Sequence, residues 1–248
     1  LRQLLGHTSG VFDYFADPTY NERVFVTEVG RRWTPQEVLA EFGGEPYAAP
    51  GEQFHYSNTG FLLLGLVVEA ETGLSLGDTF AERFFEPLGL NSTYFQFDAP
   101  PPPTGAVGYL VNQNGIRAVS DGSDYRPTES AATVAWAAGN IASTATDLAN
   151  WSNALYGGRV VSAEALSEME SYVEYARDVY GLGTRTNVFA GHRAFGHTGS
   201  LRGFYAAMWH INDLGADIVV VSNRGRYDPN VVIEALAQVA APLMESRA

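Results

Sequence analysis

Two short stretches hold the residue types that acyl-transfer chemistry needs. In Gly196-His197-Thr198-Gly199-Ser200, a strand ending in small residues leaves room for a substrate beside its backbone. The Ser200 amide N–H can then point at a developing oxyanion, and one such donor is worth roughly 3–4 kcal/mol in a transition state. In Phe54-His55-Tyr56-Ser57-Asn58, Tyr56 and Asn58 stand two apart just ahead of a helix, so both side chains can face one cleft. There Tyr56 can carry a proton and Asn58 can hold a substrate amide. Each stretch also has a structural reading. The first can be a hairpin turn beginning at Gly199 with His197 on the surface, and the second a helix-capping Asn58 beside a packed Tyr56.

The elements that must position these residues are marked by their ends. Thr34-Pro35-Gln36-Glu37 predicts a capping box that opens a helix running to about Phe42. Asn58 to Thr72 reads as a helix closed by Gly73. Ser75 with Asp78 opens another that ends near Leu88. Thr144 with Asp147 opens a helix carrying Trp151 and closing at Gly157-Gly158. Ser162 caps a short one to about Ser171, and Pro229 to Glu245 reads as a final amphipathic helix. Strands are expected at Arg193 to Thr198, Phe204 to Ile211 and Ala216 to Ser222, with hairpin connections at Gly199 to Gly203 and Asn212 to Gly215. The apolar run Ile218-Val219-Val220-Val221 predicts burial on both faces. One edge of that strand has no obvious partner in the chain, a liability that something should cover. The layout is an α+β plan, a single domain over 1–248. Residues 1–183 form a mainly helical lobe, and 184–248 form an antiparallel sheet with a C-terminal helix.

Taken together the motifs are far more specific than any one of them. Tyr56-Ser57-Asn58 and His197-Thr198-Gly199, in this order, resemble the second and third motifs of the serine β-lactamase and penicillin-binding-protein superfamily. Leu4-Leu5-Gly6-His7-Thr8-Ser9-Gly10 is similar to its Leu-Leu-x-His-Thr-Ser-Gly stretch. Pro50-Gly51-Glu52-x-Phe54 resembles the approach to the second motif. Pro87-Leu88-Gly89-Leu90 and Ala138-Gly139-x-x-x-Ser143-Thr144-x-x-Asp147 match as well, so the resemblance spans nearly the whole chain. It implies a β-lactamase/transpeptidase-like fold with the site between a helical lobe and a sheet. It also implies hydrolysis through an acyl-serine intermediate. Tyr56 would relay protons, the Ser200 amide would donate to the oxyanion, and Asn58, Thr198 and Gly199 would hold the substrate. His197 would orient or anchor it. The substrate would be a small ester, an amide or a peptidoglycan-like peptide, and no metal or organic cofactor is called for. Histidine at 197, where β-lactamases more often carry lysine, tilts the expectation toward a peptidase or carboxylic-ester hydrolase. Arg202 or Arg226 is a candidate carboxylate anchor. The resemblance favours the cell envelope or secretion and leaves the cytoplasm open.

One residue type departs from the pattern. All fifteen basic side chains among the 248 residues are arginine, so no Ser-x-x-Lys motif exists here. The motif is expected upstream of Leu1 with the first sheet strands, making this fold incomplete at its N-terminus and inactive alone. Ionising a free tyrosine at pH 7 costs about 4 kcal/mol. Without a nearby ammonium, Tyr56 is expected to be a neutral phenol. Removing the nucleophile from such a unit costs on the order of 10⁶ in turnover. A non-catalytic binder of peptide-like ligands is the corresponding alternative.

Other features narrow the field. With 28 acidic against 15 basic side chains the net charge is −13, which repels nucleic acid and anionic membranes. The absence of cysteine excludes disulfides, thiolate metal sites and cysteine nucleophiles. The longest apolar run, Phe61 to Val68, is too short to span a membrane. Gly73-Leu74-Ser75-Leu76-Gly77 matches G-x-S-x-G, the nucleophile elbow of α/β-hydrolases. That elbow must join a strand to a helix, whereas Asn58 to Thr72 reads as helix and Ser75 as the next cap. His7-Thr8-Ser9 reads as a structural turn. His192 and His197 lack a carboxylate partner that would suit a metal.

Overall fold

The computed structural model describes residues 1–171, 180–225 and 228–245. In chain order the α-helices are α1 (Arg2–Leu5), α2 (Tyr20–Glu22), α3 (Pro35–Glu41), α4 (Asn58–Thr72), α5 (Leu76–Phe80), α6 (Glu129–Ala135), α7 (Ala145–Tyr156), α8 (Ala163–Glu170) and α9 (Pro229–Glu245). The strands are β1 (Tyr94–Phe95), β2 (Gly108–Asn112), β3 (Gly115–Val119), β4 (Ile141–Ala142), β5 (Arg185–Phe189), β6 (His192–Leu201), β7 (Phe204–Ile211) and β8 (Ala216–Ser222).

Local chemistry sets most helix ends. Thr34 accepts from the Glu37 amide while the Glu37 carboxylate accepts from the Thr34 amide, closing the capping box of α3. Thr144 and Ser162 cap α7 and α8 with their side-chain oxygens alone, accepting from Asp147 N and Ala165 N. Gly73 ends α4 in the left-handed region (φ 69°), where a side chain would be strained. Ser75 Oγ then accepts from the Asp78 amide at 3.0 Å and donates to its carboxylate at 2.8 Å. Ser75 is a helix cap between two helices, not an elbow after a strand. Helix α5 gives way to a π-helical turn at Ala81–Phe85, so the regular helix is shorter than its pattern suggested.

Strands β5, β6, β7 and β8 form one antiparallel sheet in that order. Pairing continues through Gly199↔Ala206, Ser200↔Tyr205 and Leu201↔Phe204. The expected turn at Gly199 is therefore strand, and the chain reverses only at Arg202-Gly203. A Cβ on Gly196 would lie 1.9 Å from the Met208 carbonyl oxygen, so close strand approach demands glycine there. The expectation of burial on both faces of β8 fails. Ile218 is buried but Val221 is 45% exposed, because β8 is the last strand and its outer edge has no strand partner among the described residues.

Two apolar cores result. Trp33, Trp136, Tyr14 and Leu62 centre the helical one, and Trp209, Ile211, Phe189 and Ile233 fill the space between the sheet and α9. Among the described residues no single helix is long and apolar enough to cross a membrane.

Candidate active site

One wall of the site is the extended segment that feeds α4. Ser57, not Asn58, is the N-cap residue (φ −142°), and its side chain makes no capping hydrogen bond. Asn58 is the first helical residue and its amide is already engaged. Its Nδ2 donates to both Asp13 carboxylate oxygens, at 3.1 and 3.2 Å, and its backbone N–H donates to Oδ1 at 3.1 Å. The Asn58 side-chain carbonyl is left without a partner among the described residues. Asp13 also accepts from Phe15 N at the start of a 3₁₀ turn. Burial raises the Asp13 carboxyl above its ordinary range, and the bonds from Asn58 oppose that.

The other wall is the far half of β6. Strand β5 stops pairing with β6 at Arg185↔Gly196, so from His197 to Leu201 that edge has no strand partner among the described residues. This free edge is what an extended substrate needs. Thr198, Gly199 and Ser200 also line a separate open pocket of about 460 Å³ with Tyr205, Asp228, Pro229 and Asn230, which Tyr56, Asn58 and His197 do not line.

The walls meet at Tyr56 and His197, whose ring centroids are 6.3 Å apart. Tyr56 is 40% exposed and its hydroxyl has no hydrogen bond among the described residues. Burial of the rest of the ring raises its pKa above the ordinary phenol value, and the charge of Arg185 pulls against that. Tyr56 is thus a neutral phenol at pH 7. Burial also depresses the His197 imidazole; the bond to Thr198 O opposes this and Arg185 reinforces it. Ser200 is exposed and makes no side-chain hydrogen bond to the others, so its part in the site rests on its backbone.

Three residues of this cluster carry no local sequence signal. Arg185 donates to Thr198 Oγ1 at 3.4 Å, and no carboxylate among the described residues pairs with it. Tyr180 lies between His7 and His197, at 2.9 and 3.3 Å from their Nε2 atoms. Asp13 holds Asn58 from 45 positions away. Only His7 stood in a motif, and it was read as a turn. Of the arginines considered as anchors, Arg202 lies over the Phe25 ring at 4.8 Å with Arg117 as its charged neighbour. Arg226 lies outside the described residues. His192 bonds Asp213 at 2.7 Å, and among the described residues no group of three or more His, Asp or Glu side chains is placed to hold a metal ion.

A two-walled site with a Tyr-x-Asn turn facing a His-Thr-Gly strand, between a helical lobe and an antiparallel sheet, defines the β-lactamase and transpeptidase-like serine hydrolases. The Beta-lactamase family model matches residues 1–241, and the chain belongs to that family. A D-aminopeptidase of Cereibacter sphaeroides is 30% identical over 225 residues, 90% of this chain and 42% of its own length. The chain thus spans less than half the length of that relative. Among solved structures, a D-stereospecific amidohydrolase from Streptomyces sp. superposes with a TM-score of 0.84 at 30% identity, covering 94% of this chain and 71% of the other. A D-amino acid amidase from Ochrobactrum anthropi SV3, complexed with L-phenylalanine amide, gives 0.79 at 27% identity, covering 100% and 72%.

Proposed function

We propose that this chain forms the substrate-holding cleft of a serine hydrolase acting on small amides or peptides, with D-amino acid amides the favoured class. The observation that carries the reading is the meeting of Tyr56 and His197 across the cleft, 6.3 Å apart, beside an arginine that no described carboxylate neutralises. The relatives' activities, D-aminopeptidase and D-amino acid amidase, support an amide over a β-lactam, with carboxylic esters as the alternative.

In such a reaction a seryl oxygen bonds the carbonyl carbon, the C–N bond breaks, and the amine leaves with a proton. Water then takes the acyl group from the serine. Tyr56, neutral and with a free hydroxyl, supplies the proton to the leaving amine and receives the seryl proton in return. The Asn58 carbonyl accepts a substrate N–H, since its own NH₂ is held by Asp13. Thr198 and Gly199 bind the substrate along the open edge of β6, the Ser200 amide faces the oxyanion, and Arg185 donates a hydrogen bond to a substrate carbonyl oxygen. No Ser-x-x-Lys pair can be drawn from these 248 residues, which hold no lysine. That same absence favours a second reading, a cleft that binds without cleaving.

Titrating D-phenylalanine amide into the chain tests the cleft. The Tyr56 and His197 NMR resonances should shift on binding, and silence at both positions would refute the reading. A fluorescent penicillin tests the nucleophile. No covalent label is expected on the chain alone, and a label would place a reactive serine within it.

A further inference from the structure

His7 is 1% exposed and holds a left-handed backbone conformation (φ 55°), which costs energy in a residue with a Cβ. What the conformation achieves is a clamp on both sides of Tyr56. The His7 carbonyl accepts from His55 N at 2.9 Å, and His7 Nδ1 accepts from Ser57 N at 3.1 Å. The imidazole also lies against the Tyr56 ring, with centroids 4.0 Å apart.

These contacts place every proton in the chain of bonds that follows. Because His7 Nδ1 accepts an amide proton, the neutral ring carries its own proton on Nε2, which donates to Tyr180 Oη at 2.9 Å. At the far end, His197 Nδ1 lies 2.6 Å from the Thr198 carbonyl oxygen, which can only accept, so Nδ1 is protonated. In a neutral ring His197 Nε2 is then bare and accepts from the Tyr180 hydroxyl at 3.3 Å. A doubly protonated His197 would aim its Nε2–H at an oxygen that already receives a proton from His7, and the Tyr180 proton would lose its acceptor.

We propose that His7 and Tyr180 are positioning residues that lock His197 as its Nδ1–H tautomer and set the gap between the two walls of the cleft. The role presupposes the cleft proposed above. The chain of bonds starts at the segment carrying Tyr56 and ends in the strand carrying Thr198, so it ties one wall to the other through a single phenol. It gives the Leu-Leu-Gly-His-Thr-Ser-Gly segment a task beyond forming a turn. It also keeps His197 uncharged, so that Arg185 is the cation the cleft presents.

Two-bond ¹H–¹⁵N correlation spectra of the ¹⁵N-labelled chain at pH 7 test this without any assay of activity. His7→Gln and His197→Gln supply the assignments. His7 should appear as the Nε2–H tautomer and His197 as the Nδ1–H tautomer, the form that free imidazoles favour less. Either ring in the opposite form, or doubly protonated, overturns the lock. Tyr180→Phe keeps the ring and removes the bridge. The His197 Nε2 resonance should then move toward that of an unbonded nitrogen, with the Tyr56 Cζ resonance moving as well. Unmoved resonances in a folded variant overturn the proposal too, and if that variant does not fold, the tautomers of the unaltered chain decide. Failure of D-phenylalanine amide to bind while the tautomers stand would count against the cleft and leave the tautomer lock in place.

Discussion

Arginine charges act on their surroundings very differently in two regions of this protein, and the difference lies in their counter-charges. In the helical lobe, Arg23 and Arg31 lie over the Trp33 ring at 4.9 and 3.7 Å. Arg23 bonds Glu28 and Glu41, and Arg31 bonds Glu28, Glu37 and Glu41. The hydrogen bonds from Arg31 and Arg23 pull the Glu41 carboxyl down to about 2. In the cleft, Arg185 acts on Tyr56, Tyr180, His7 and His197, and no described carboxylate answers it. The lattice around Trp33 is complete within the protein. The cleft has a charge left over, and groups arranged to interact with something else are what distinguishes a site from a brace.

Acid should pull the two regions apart, and this is the largest effect expected. Burial drops the His7 pKa from 6.5 to about 4, with the charges of His197 and Arg185 adding to the drop. Between those values the unfolded chain binds a proton that the native chain refuses, so stability rises with pH across that window and falls as pH is lowered through it. The full difference is about 3 kcal/mol. Glu41 moves from 4.5 to about 2, so its contribution is present above 4.5 and fades only below that. Urea melts from pH 7 down to 4 should therefore show a loss that His7→Gln flattens and Glu41→Gln leaves in place. A slope unaffected by His7→Gln would mean that His7 is not the group titrating.

Arg185→Gln addresses the charge directly. A hydrogen bond to a charged group contributes about 1.5–3 kcal/mol, so binding of D-phenylalanine amide should weaken by about tenfold or more. Thermal stability at pH 7 should hold, since both depressed histidines are already neutral there. Calorimetric titration and a melting curve of the same variant suffice. Unchanged affinity would place Arg185 with the structural arginines.

How much of this was legible in the sequence follows from the range of the interactions. Helix ends were readable because a cap and its partner are three residues apart, as Thr34 with Glu37 and Thr144 with Asp147. Tyr56 and His197 were readable as members of short motifs, and the structure brings them together. Tyr180 was not, since its bond to His7 crosses 173 positions. Asp13 and Arg185 were missed for the same reason, and Asn58, read as a substrate ligand that could also cap the helix, follows Ser57 as the N-cap and has its amide nitrogen held by Asp13. Helix α6 escaped because six of its seven residues are buried, which erases the one-sided pattern that marks a helix. The exposed β2–β3 hairpin carries no apolar alternation to betray it. The end of β6 was misplaced because pairing with β7 overrides the turn preference of Gly199.

Smaller changes sharpen the comparison from the brace side. Arg31→Gln removes three ion pairs whose arginine side chain is 27% exposed, together with its contact over Trp33. Networks of this exposure contribute about 1 kcal/mol, so the urea midpoint should fall modestly while ligand affinity stays constant. Arg202→Gln is expected to do least. Its guanidinium rests on Phe25, a contact of about 0.5–1 kcal/mol, and Arg117 beside it is a like charge that cancels part of that gain. A near-silent melt and unaltered D-phenylalanine amide affinity would separate it from Arg185, though both arginines lie near the same strand. A tenfold loss of affinity in Arg202→Gln would instead move the anchor to the Arg202-Gly203 turn and make Arg185 the bystander.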